Sequence, residues 1–120
     1  MGSVPVLVVA SDDRWFRVLE VTLRLGGFDA TRCRSIAEAA QQRGPRRSPR
    51  AIVLDLAAEA GAVDEVGIER LAAGATVPVV VILSAPRDAL RETLAAAGAR
   101  VLLRPYAPSA LYAALTPAGA

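Results

Sequence analysis

Few side chains in this sequence can do chemistry. The 120 residues contain no His and a single cysteine, Cys33. A disulfide framework, a redox pair, a zinc site and every His-dependent triad are therefore excluded. What remains is a small set of acids, one hydroxyl and one guanidinium, each directly after a short apolar run. They lie in Ala10-Ser11-Asp12-Asp13, Leu54-Asp55-Leu56, Leu83-Ser84-Ala85 and Leu103-Arg104-Pro105-Tyr106. No general base can be assembled beside a nucleophile, so an independent enzyme is not expected. No glycine-rich loop follows the first apolar run, which removes the dinucleotide and P-loop fingerprints. Plain structural roles exist for the same residues. Asp12 and Asp13 suit the first turn of a helix, where acids offset the dipole, and Ser84 suits a cap for the helix opened by Pro86.

The elements that must position these groups follow from apolar periodicity. Short β-branched runs occur at Val4–Ala10, Ala51–Leu54, Val77–Leu83 and Arg100–Leu103, with a weaker one at Phe28–Cys33 in which Phe28, Cys33 and Ala30 point inward. Near-continuous Val/Ile/Leu runs suit strands buried on both faces, as in a parallel sheet. Between them lie helix-length segments. Arg14–Leu25 carries a stripe of Trp15, Val18, Leu19, Thr22 and Leu25 and stops at Gly26-Gly27. Ser35-Ile-Ala-Glu38 reads as a capping box opening a helix to about Arg43. Val63–Ala73, Arg87–Ala97 and Pro108–Leu115 complete the set. The alternating order, with right-handed crossovers, predicts an α/β fold: a doubly wound, five-stranded parallel sheet of (βα)5, flavodoxin-like type with strand order 2-1-3-4-5. Ligands of such sheets sit at the carboxyl ends of the strands, where the acids, Ser84 and Arg104 converge.

Composition bounds the rest. The length fits one domain over residues 1–120, and 53% apolar residues argue for a packed core. No apolar run reaches the roughly 18 residues of a membrane span, so no membrane association and a cytoplasmic location are expected. All 14 cationic residues are Arg, and Lys is absent. The densest basic patch, Arg43, Arg46, Arg47 and Arg50, lacks aromatics for base stacking. It reads as a solvated loop, with no direct nucleic-acid partner expected.

Taken together, Val53-Leu54-Asp55, Leu83-Ser84-Ala85, Arg104-Pro105-Tyr106 and the Gly27-Phe28 start of the second strand resemble the receiver domains of bacterial two-component response regulators, over nearly the whole chain. The resemblance implies a phosphorelay module in which Asp55 is the candidate phosphoacceptor and Ser84 and Arg104 are the candidate phosphate-sensing pair. It implies Mg²⁺ held by Asp12, Asp13, Asp55 and the carbonyl of Ala57, and a cis peptide before Pro105. It further implies a histidine kinase as phosphodonor, and a protein partner or homodimer bound through the α4-β5-α5 face, that is, the fourth helix, fifth strand and fifth helix.

The departures from the family pattern matter as much. Counting back from Gly27 without gaps puts Ala10 and Ser11 where the acidic pair belongs. A one-residue slip would restore the pair as Asp12-Asp13, but it would lengthen the strand and shorten the helix. Without the slip the site loses up to two charges. One charge about 6 Å from another is worth roughly 3 kcal/mol at an effective dielectric of 20, and Mg²⁺ depends on carboxylates, so any Mg²⁺ site should be weak. Arg104 stands where the family has Lys and is expected to pair with Asp55, replacing part of the metal's charge. The loop Leu56-Ala57-Ala58-Glu59-Ala60-Gly61 lacks the family's Pro and Asp-Gly, and Val101 replaces an aromatic. The leading expectation is a pseudo-receiver acting through protein contacts. The alternatives are a Mg²⁺-dependent receiver phosphorylated on Asp55, and a small-ligand-binding domain on the same fold.

Overall fold

The computed structural model describes residues 4–41, 49–56, 65–84 and 88–116. Strands β1 (Val4–Val9), β2 (Phe28–Cys33), β3 (Ala51–Asp55), β4 (Val79–Leu83) and β5 (Arg100–Leu103) alternate with helices α1 (Asp13–Leu25), α2 (Ile36–Gln41), α3 (Glu65–Gly74), α4 (Asp88–Ala96) and α5 (Pro108–Leu115). All pairings are parallel and the order is β2-β1-β3-β4-β5. This is the expected doubly wound sheet.

Because successive strand residues face opposite sides, the three central strands feed two cores. Leu7, Val9, Ile52, Leu54, Val79 and Val81 pack with Ile68, Leu71, Leu90 and Leu94 of α3 and α4. Val6, Val8, Val53, Val80 and Ile82 pack with Leu19, Leu23, Leu111 and Leu115 of α1 and α5. β3 and β4 are buried at every position, which is why their sequences run apolar without alternation. The inward residues of β2 divide between these cores: Phe28 and Ala30 serve the α1/α5 side and Cys33 the other. An odd spacing requires that split.

The strand and helix ends differ from expectation for local reasons. β4 opens at Val79 rather than Val77, because Pro78 has no N–H and joins the ladder only as an acceptor, from the amide of Ile52 at 2.9 Å. Ser35 does cap α2, accepting from the Glu38 amide at 3.1 Å, but the Glu38 carboxylate returns to the amide of Arg34 rather than Ser35. Val63, Asp64, Pro86, Arg87 and the Arg43–Arg47 patch lie outside the described residues.

The stripe expected on α1 is corrected by the structure. The buried residues are Leu19 and Leu23, with Phe16 packed beside them. Trp15 is 39% exposed, Val18 51% and Leu25 81%. Two apolar stripes, one residue or about 100° apart, run along this helix, and periodicity alone cannot rank them. The sheet takes the stripe with two leucines; the other faces outward beside α5. There Tyr112 donates to the Thr22 carbonyl at 2.6 Å and its ring lies against Gly26 and Phe28. Any side chain at Gly26 would overlap that ring. Gly27, with φ +89, makes the reversal into β2.

Candidate functional site

Three strand ends bring the sequence-predicted residues together at the carboxyl edge of the sheet. Asp55 is the last residue of β3, and its side chain is only 1% exposed. Arg104 follows β5, where its amide donates to the Leu83 carbonyl at 2.8 Å. That bond aims its side chain across β4, and Nη2 meets Asp55 Oδ2 at 2.5 Å. The expected pairing is thus present, and it is a buried one, the guanidinium side chain being 15% exposed. The Arg104–Pro105 peptide is cis, as the resemblance implied. Ser84 is exposed at the end of β4 and shares a cavity wall with Arg104.

Sequence reading missed the role of Trp15. Its indole lies beneath the Arg104 guanidinium, with Cζ 3.9 Å from the ring centroid. Trp15 therefore holds the guanidinium that pairs with Asp55. The advance signal was an aromatic one turn into the first helix, which places it near the strand ends but not on Arg104.

The acids of the first loop are engaged elsewhere. Asp12 is the N-cap of α1, accepting from the Trp15 amide at 2.9 Å. Asp13 opens the helix and pairs with Arg32 of β2 at 2.6 Å. This pairing holds its carboxyl below the usual carboxylate range, first through the hydrogen bond and then through the charge of Arg32. Arg32 also donates to the carbonyls of Ala10 at 3.1 Å and Ser11 at 3.2 Å, and it lies 5.0 Å over the Phe16 ring. A β2 arginine thus clamps the whole β1–α1 turn. It was not legible in advance, because Arg32 is a single charge in a weak strand pattern.

β1 ends at Val9, with Ala10 buried and Ser11 exposed ahead of the cap. Three of the four implied metal donors make other contacts among the described residues. Asp12 serves the helix end, Asp13 serves Arg32, one Asp55 oxygen is on Arg104, and Ala57 lies outside the described residues. Among the described residues no three His, Cys, Asp or Glu side chains are grouped to hold a metal. Nearby, burial pushes the Tyr106 phenol up from its ordinary value; the adjacent Arg104 opposes that shift and Asp55 adds to it.

The sheet order and the alternation of strands and helices give a receiver-type architecture. No family model matches the chain, and no curated protein matches it. Solved structures do. The response regulator receiver protein from Burkholderia phymatum is 29% identical, with 92% of this chain and 94% of that one covered at a TM-score of 0.71. A putative response regulator from Chloroflexus aurantiacus is 24% identical over 92% and 93% of the two chains, TM-score 0.74. A two-component response regulator from Clostridium difficile is 18% identical over 92% and 91%, TM-score 0.75. The chain shares the fold of these receiver domains. No helix among the described residues is long and apolar enough to cross a membrane.

Proposed function

We propose that this chain is a receiver domain of two-component signalling and that it is a pseudo-receiver, working through protein contacts and not as an efficient Mg²⁺-dependent phosphoacceptor. The Arg104–Asp55 ion pair carries the reading. In a metal-dependent receiver the acceptor carboxylate must offer one oxygen to the cation and another to the incoming phosphoryl group. Here one oxygen is bound to a fixed positive charge, and the side chain is only 1% exposed. The clamp of Arg32 on Asp13 supports the same conclusion, since it neutralises a carboxylate that a metal would need. Arg104 thus supplies permanently, in part, the positive charge that Mg²⁺ would bring.

The contact face proposed is α4, β5 and α5, as a homodimer or with a protein partner. β5 is the edge of the sheet and all its residues are only half-buried. Arg100 ties it to the end of α5 by donating to the carbonyls of Ala114 at 2.6 Å and Thr116 at 2.5 Å, so strand and helix would present one rigid surface.

Acetyl phosphate with Mg²⁺, followed by a phosphate-affinity gel, tests the reading. No stoichiometric band shift is expected. Stoichiometric modification that disappears in Asp55→Asn would overturn it.

A further inference from the structure

We draw no further inference here: the strongest candidate, the exposed aliphatic patch of Val18, Val21 and Leu25 on the outer face of α1, carries nothing because nothing in the structure shows what covers it.

Discussion

Replacing Arg104 by Leu leaves the Asp55 carboxylate buried without its guanidinium. Breaking a buried pair on one side costs about 3–5 kcal/mol. Asp55 has interactions besides Arg104, which places the expected loss toward the lower end, about 3 kcal/mol. For a domain of this size that is a fall in Tm of roughly 12 °C or more, at about 4 °C per kcal/mol. Removing both charges behaves differently. Asp55→Leu with Arg104→Leu removes the desolvation cost together with the attraction, so the double variant should lie within about 1–2 kcal/mol of the parent. Urea unfolding of the parent, both single variants and the double variant closes the cycle. A coupling below about 0.5 kcal/mol, the scatter of independent sites, would show that Arg104 does not neutralise Asp55, and the pseudo-receiver reading would lose its support.

Further outcomes follow from the same geometry. Asp12→Ala should cost about 1 kcal/mol of unfolding free energy as a lost N-cap, and it should also change Trp15 fluorescence, because the cap is made to the Trp15 amide; unchanged fluorescence would argue against the cap placing the indole. Burial, and to a lesser extent Glu38, raise the Cys33 thiol above its ordinary 9.0. Its contribution to stability is thus full below the unfolded value and is lost as pH rises through the folded one. Between pH 8 and pH 10.5 the urea midpoint of the parent should fall further than that of Cys33→Ala, and parallel curves would refute the burial effect. Ser11→Asp combined with Arg104→Lys restores a carboxylate to the first loop and a more mobile cation to the fifth. Labelling by acetyl phosphate should rise measurably above the parent in Mg²⁺, and an unaltered level would mean that the block on Asp55 lies elsewhere.

The strands were legible because β4 is apolar at every position and β3 at all but its last, Asp55, a pattern that a doubly covered sheet requires. The carboxyl-edge assembly was legible for the same reason: once the five runs are parallel, Asp55, Ser84 and Arg104 have to meet. Two arrangements could not be read. α1 offers two apolar stripes separated by one residue, so which of Trp15 or Phe16 turns inward depends on helix–sheet packing that one-dimensional periodicity does not contain. Arg32 depends on register. It lies opposite Val8 in the β1–β2 ladder, two residues before the turn whose carbonyls it binds, and that pairing is unknown until the sheet exists.

Those two unread arrangements explain why the site takes the form it does. A carboxyl edge holding Asp12, Asp13 and Asp55 carries three negative charges that a divalent cation would ordinarily compensate. In this chain two guanidiniums and a helix terminus do so, each by direct hydrogen bonding: Arg32 on Asp13, Arg104 on Asp55 and the Trp15 amide on Asp12. Compensation by residues is permanent, whereas a bound metal exchanges. Arg104 is also held from behind by the Trp15 ring, a cation–π contact worth about 0.5–2 kcal/mol, so an incoming phosphoryl group would have to disrupt both that contact and the ion pair before reaching an Asp55 oxygen.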